Sequence, residues 1–390
     1  MDYMKIIQQM TGNSEVSGNN YLCSGSDMTI TKKVLNSIFK FCDGSAIVID
    51  DSGIMKEEIY AYLNYYDYHI YNAFSADVCL ADILNINSII EISKIRSVLA
   101  IVGFPEIQMH KIISYLAFIK KVEMLNNNQT SLTLEVLSQY STNMNVENRL
   151  QNLKALGIIS YEEQIFLLSK YAELSASAAD FEYMLSTIGS FITGSIMIFD
   201  ILQPKRNVLY IPLYLFRRDL NMKHVVIELM SLSLNEFKNS CRDIVIFDSG
   251  AEDGEYLSDM IQNIQHLKKS VHVISQDIFA SDNRLQQIVF KNMNVKIFSK
   301  HNNMNSCKVL EELLGGIDVV KQTYAVDYPR QWKANSAFDI LFGCNKTEHY
   351  GWNAPVREPK YRKEYIHSFP TGIGIVEYKG NSSLFNIVEK

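Results

Sequence analysis

The strongest constraint in this sequence is a block from Arg242 to Asp277. Two apolar runs, Ile244-Val245-Ile246-Phe247 and Val271-His272-Val273-Ile274, flank a segment with helical spacing, Glu255 to His266. An unbroken apolar run rich in β-branched residues predicts a strand buried on both faces, because a half-solvated strand would alternate apolar and polar residues. Strand, crossover helix and strand then predict a parallel βαβ unit, whose ligands gather at the C-terminal ends of the strands. Asp248 ends the first run and Gln276 follows the second, so both are expected on that edge.

A second unit of the same kind is expected near the start. Tyr21-Leu22-Cys23 reads as a short strand, Ser24 to Thr29 as a loop, and Val34, Leu35, Ile38 and Phe39 as the buried stripe of a helix. Ala46-Ile47-Val48-Ile49-Asp50 is another buried strand that ends in an acid. Strand, Gly/Ser loop, helix and strand is the layout of a phosphate-binding P-loop, GxxxxGK[ST]. Against the common ending Gly-Ser-Gly-Lys-Thr, this chain has Gly25-Ser26-Asp27-Met28-Thr29.

Asp27 and Met28 both oppose phosphate binding. A carboxylate and a phosphate charge about 4 Å apart, at an effective dielectric of about 20, repel by roughly 4 kcal/mol. Loss of the lysine removes a comparable attraction. In this frame Gly25, Ser26, Thr29 and Asp50 are what remains of a nucleotide edge, Thr29 and Asp248 are the metal positions, and Gln276 is the phosphate sensor. A plainer reading stands beside it: Asp27 or Thr29 caps the following helix, Asp248 starts a loop and Gln276 ends a strand.

Composition narrows the class. The chain has 390 residues, 47% of them apolar, enough for a large core and two to three units. A net charge of −6 gives no global basic field toward nucleic acid or anionic membrane. The six cysteines form no CxxC pair and the eight histidines no HExxH or HxxxH pattern, which argues against a zinc module and a metal held wholly by protein, and suits a reducing cytoplasm. Met1 to Gly18 lacks the order of a signal peptide and no apolar run reaches membrane-spanning length, so a soluble chain is expected.

Three segments follow from the texture. Residues 1–83 hold the first sheet part. Residues 84–192 carry apolar residues at helical spacing, with helices expected over Ile89–Val102, Glu106–Asn126, Ser131–Tyr140, Val146–Leu156, Ser160–Leu174 and Ser177–Ile192, and read as an inserted all-α domain. Residues 193–390 resume the sheet with Ser195–Phe199 and Asn207–Leu213, and close with a hairpin over Gly372–Tyr378 and Ser383–Val388. Residues 317–365 read as polar and irregular, with a basic cluster (Arg357, Lys360, Arg362, Lys363) that is a solvated face or a nucleic-acid contact.

The order of these parts resembles the cytoplasmic part of type IV secretion coupling proteins, the TraG/TraD family of conjugative ATPases. Gly44 to Asp50 followed by Gly53 looks like that family's strand ending in Asp-Pro-Lys-Gly-Glu. Asn207 to Leu213 looks like the strand after its helical insertion. Ile244 to Asp248 and Val271 to Gln276 look like its second acidic strand and its glutamine strand, and Phe369 to Val376 like its closing hairpin.

The resemblance implies an α/β fold: a mainly parallel, RecA-like P-loop NTPase sheet with an all-α insertion and a C-terminal hairpin. It implies ATP and Mg²⁺ for an active member. Here the loop lacks its lysine and last glycine, Ser52 stands in place of a lysine, and Ser249 follows Asp248 where motor ATPases carry a glutamate. A degenerate member is therefore expected, a pseudo-ATPase without a cofactor, acting as a structural or adaptor subunit of a secretion or conjugation machine. Its expected partners are machine subunits, including an active paralogue, and further copies of itself, at the inner face of the bacterial membrane. The alternatives are an active hexameric translocase of DNA or protein, completed by a neighbouring subunit, and a non-catalytic nucleic-acid-binding module.

Overall fold

The computed structural model describes residues 20–41, 44–81, 89–127, 134–140, 143–204, 206–236, 241–248, 255–265, 270–325, 350–378 and 380–387. Met1 to Gly18 and Ser249 lie outside these residues. The chain divides into two compact units, Met1–Lys300 with Pro370–Lys390, and His301–Phe369.

In chain order the first unit contains β1 (Tyr21–Ser24), α1 (Met28–Phe41), β2 (Ser45–Asp50), α2 (Lys56–Tyr65), β3 (His69–Asn72) and β4 (Val78–Cys79). Among the described residues six α-helices follow: α3 (Ile89–Val102), α4 (Glu106–Asn127), α5 (Leu134–Ser138), α6 (Asn143–Ala155), α7 (Tyr161–Leu174) and α8 (Ala178–Ile192). Next come β5 (Ile196–Met197), α9 (Ile198–Leu202), β6 (Asn207–Ile211), α10 (Leu220–Glu236), β7 (Cys241–Asp248), α11 (Glu255–Gln265), β8 (Ser270–Ser275), α12 (Asn283–Asn292) and β9 (Val295–Phe298). After the second unit the chain returns with β12 (Ile373–Tyr378) and β13 (Asn381–Asn386).

One nine-stranded sheet organises this unit, in the order β13-β12-β9-β1-β8-β7-β2-β6-β3. Strands β9 through β3 of that order are mutually parallel; β12 and β13 add an antiparallel hairpin at the β9 edge. The doubly buried strands arise as their apolar runs require. All six residues of β2 and all five of β6 are buried, as is Ile244 to Asp248 in β7. Each fully buried Val or Ile here contributes about 1.5–3 kcal/mol relative to exposure. Ala46 and Val48 alternate onto the face covered by Ile30, Val34 and Leu35 of α1 and Ile59 and Leu63 of α2, where Val376 and Phe385 of the hairpin join the same core.

Two sequence expectations need correction. Ser195–Phe199 is a two-residue strand followed at once by a helix, because Asp200 to Leu202 continue Ile198 as a turn whose Ile198, Ile201 and Leu202 are buried. Within residues 317–365, the described parts, 317–325 and 350–365, are not irregular. The second unit holds α13 (Met304–Leu313), an antiparallel ribbon of β10 (Gly316–Ala325) and β11 (Tyr350–Pro359), and α14 (Lys363–His367). Val319, Val320, Thr323 and Tyr324 carried that strand preference, but the partner strand is remote in sequence and no local signal reveals it. Among the described residues no helix is long and apolar enough to cross a membrane.

Candidate functional site

The candidate edge lies where β1, β8, β7 and β2, adjacent in the sheet, present their C-terminal ends. Gly25, Ser26, Asp27, Met28 and Thr29 leave β1 there; Asp50 ends β2, Asp248 ends β7 and Gln276 follows β8. The expected residues therefore share one edge. Gln276 is solvent-exposed, whereas Asp27, Asp50 and Asp248 are buried.

The β1–α1 loop packs down onto the strand ends beside it. Gly25 donates its N–H to the Ser275 carbonyl (3.1 Å), Ser26 to the Lys300 carbonyl (2.7 Å) and Asp27 to Ser299 Oγ (3.3 Å). The Ser26 hydroxyl also donates to the Lys300 carbonyl, at 3.0 Å. Gly25 has φ +136°, and a Cβ there would stand 2.0 Å from Ser299 Oγ and 3.0 Å from the Lys300 carbonyl oxygen. Only glycine meets both demands, the positive φ and the close approach.

Asp27 is the N-cap of α1. Its Oδ1 accepts the Thr29 N–H at 2.9 Å and, at a longer 3.5 Å, the Ile30 N–H. Its Oδ2 accepts the N–H of Gly372, at 2.6 Å, from the segment that leads into the closing hairpin. A helix N-terminus is where backbone N–H groups and the helix dipole attract an anion. Here a side-chain carboxylate fills that role, and of the six N–H groups from Gly25 to Ile30, those of residues 25, 26, 27, 29 and 30 point at protein acceptors.

The other two acids are also enclosed by neutral donors. Asp50 accepts from the Ser52 hydroxyl (3.1 Å) and the Gly53 N–H (2.7 Å) on Oδ1, and from the Tyr210 hydroxyl (2.8 Å) on Oδ2. Burial, and then the Asp50 carboxylate, push the Tyr210 phenol above its ordinary range, so it remains a donor. Asp248 Oδ2 accepts hydroxyls from Ser275 (2.8 Å) and Ser281 (2.5 Å). Gln286 fixes the turn that presents Ser281 by donating to the carbonyls of Ser281 (2.7 Å) and Phe279 (3.2 Å).

One full charge pair closes the edge. Lys223 of α10 meets Asp51 at 2.6 Å, both side chains almost completely buried, and Arg217 donates to the Ser52 carbonyl at 2.7 Å. Among the described residues no three His, Cys, Asp or Glu side chains group to hold a metal ion. The basic cluster belongs to the other unit: Arg362 lies 3.5 Å from Glu358, Lys360 sits over the Tyr361 ring at 5.5 Å, and Lys363 follows as the first residue of α14.

Sequence reading missed Gly372, Ser299, Lys300, Tyr210 and Lys223. Ser275 stood at a strand end and was within reach of the reading; the rest are recruited by strand order, which no local pattern encodes.

With this geometry in hand, comparison with known proteins is informative at the level of fold. No protein-family model matches the sequence, and no curated protein does. Solved structures do. The plasmid coupling protein TrwB in complex with ADP and Mg²⁺ superposes with a TM-score of 0.54 at 12% identity, over 100% of this chain and 93% of that one. An unbound form of the bacterial conjugative coupling protein TrwB gives 0.52 at 11% identity, over 98% and 90%. VirB4 of Thermoanaerobacter pseudethanolicus gives 0.51 at 9% identity, over 95% and 89%. This chain has a fold similar to that of these type IV coupling-protein structures, a large, mainly parallel sheet with helices.

Proposed function

We propose that this protein is a coupling-protein-like subunit of a type IV secretion or conjugation machine that has kept the ATPase fold and given up nucleotide hydrolysis. Residues 84–192 serve in it as an all-α insertion, as residues 1–83 and 193–390 serve as the two parts of the sheet domain. Its partners are protein subunits of the machine, with an active ATPase among them, on the cytoplasmic side of the membrane.

The observation that carries this reading is the Asp27 carboxylate at the N-terminus of α1. A phosphate placed there would meet a buried anion and backbone N–H groups already engaged. Nucleotide and Mg²⁺, which one solved neighbour holds, do not fit this loop as it stands. Asp50 and Asp248, each bonded to hydroxyl or N–H donors, act in this reading as ties between strand ends. No hydrolytic step is assigned to them.

Steady-state hydrolysis of Mg-ATP, with and without single-stranded DNA, tests the proposal. The expected rate is indistinguishable from background in both. Turnover stimulated by DNA would replace this reading with an active translocase.

A further inference from the structure

Strand β3 ends one side of the nine-stranded sheet and, among the described residues, pairs with β6 alone. The N–H groups of His69 and Ala73 point toward that neighbour, donating to the carbonyls of Arg206 (2.9 Å) and Tyr210 (2.8 Å). Peptide groups alternate along a strand, so the N–H and C=O of Ile70 point the other way, along the open edge. Such edges are ordinarily blunted by charged residues, proline or a bulge. β3, His69-Ile70-Tyr71-Asn72, has no Lys, Arg, Asp, Glu or Pro, and its register runs unbroken from His69↔Asn207 to Asn72↔Tyr210.

The side chains along this edge are aromatic or aliphatic on both faces of the sheet. His69 is exposed and Tyr71 half-buried, and their rings meet edge to face at 4.7 Å. Ile70 lies on the other face, at the margin of the core with Tyr62 and Tyr66. The arrangement is its own complement under a twofold axis. A second β3 laid antiparallel, with Ile70 opposite Ile70, would exchange both N–H···O=C bonds of that pair. It would also set each His69 opposite the other strand's Tyr71, in the non-hydrogen-bonded positions where side chains approach most closely. An unrelated extended segment would use the same backbone bonds without this reciprocal match.

We propose that β3 is a self-pairing edge that joins two copies of this chain through an antiparallel β3–β3 contact centred on Ile70. Four residues a side make a small contact, so the association is weak and concentration-dependent. It rests on strand order and holds whether or not the β1–α1 loop takes a nucleotide.

Disulfide trapping in the full chain tests it, with His69→Cys and Tyr71→Cys made as separate variants. Opposed Cα atoms of a non-hydrogen-bonded pair lie about 4.5 Å apart, within disulfide range. The 69–69 and 71–71 pairs of the same dimer are diagonal neighbours about 7–8 Å apart, beyond that range. Under mild oxidation an equimolar mixture of the two variants should give at least about tenfold more linked dimer than either variant alone or the natural chain. Adding Ile70→Pro, which removes an N–H the fold does not use, should abolish the linkage, with circular dichroism confirming the fold. The cysteine mixture decides by itself should Ile70→Pro fail to fold. No linkage in the mixture, equal linkage in the mixture and in either variant alone, or linkage that survives Ile70→Pro in a folded chain would overturn the proposal.

Discussion

The N–H of Gly372 donates to Oδ2 of Asp27 at 2.6 Å, joining residues 345 apart in sequence and tying the segment before the closing hairpin to the start of the first helix. The other oxygen of the same carboxylate caps that helix. One side chain therefore holds together two ends of the sheet unit.

Replacing it should be expensive. Asp27→Ala removes an N-cap, a loss of about 1 kcal/mol, and leaves the buried Gly372 N–H without an acceptor, a further 1–3 kcal/mol or so. Urea denaturation should show a total loss of about 2–4 kcal/mol. Hydrogen exchange should quicken in β12 and β13, which Gly372 leads into. A change within about 0.5 kcal/mol, as for an ordinary surface site, would contradict this role.

Asp51 and Lys223 form a pair that is costly to break singly. Lys223→Met should remove the charge that faces the buried Asp51 carboxylate and destabilise by about 3–5 kcal/mol, whereas adding Asp51→Leu to it should recover much of the loss. A double-mutant cycle by chemical denaturation measures this. Additive losses from the two changes would show that the charges do not interact as the 2.6 Å contact requires.

Burial pushes the Cys23 thiol from 9.0 up to about 12, the main cause being desolvation in β1. At pH 8 its thiolate fraction in the native state is on the order of 10⁻⁴, so alkylation by iodoacetamide should follow unfolding rather than direct attack. The folded pKa is the higher one, so the native state holds its proton more tightly. The contribution to stability is complete below about pH 9 and declines as pH rises toward about 12. Rapid alkylation of Cys23 in the folded protein at pH 8 would refute this.

Much of the sheet was legible because it is written locally. The apolar runs of β2, β7 and β8 predict doubly buried parallel strands, and the acids at their ends predict the edge that Asp50 and Asp248 occupy. Of the two readings of Asp27, the N-cap is the one the hydrogen bonds display, with Oδ1 accepting the Thr29 N–H; the failed phosphate loop is the proposal that titration with nucleotide tests. What stayed illegible depends on distant pairing. Gly372 meets Asp27, Tyr210 meets Asp50 and Lys223 meets Asp51 because strand order and helix packing bring them there. The β10–β11 ribbon was missed for the same reason.

The central claim is that Asp27 occupies the place of a phosphate. Calorimetric titration with Mg-ATP, of the natural chain beside a folded variant carrying Asp27→Gly and Met28→Lys, tests it most directly. No binding by the natural chain and measurable binding by the variant is the expected result. Micromolar binding by the natural chain would contradict the account.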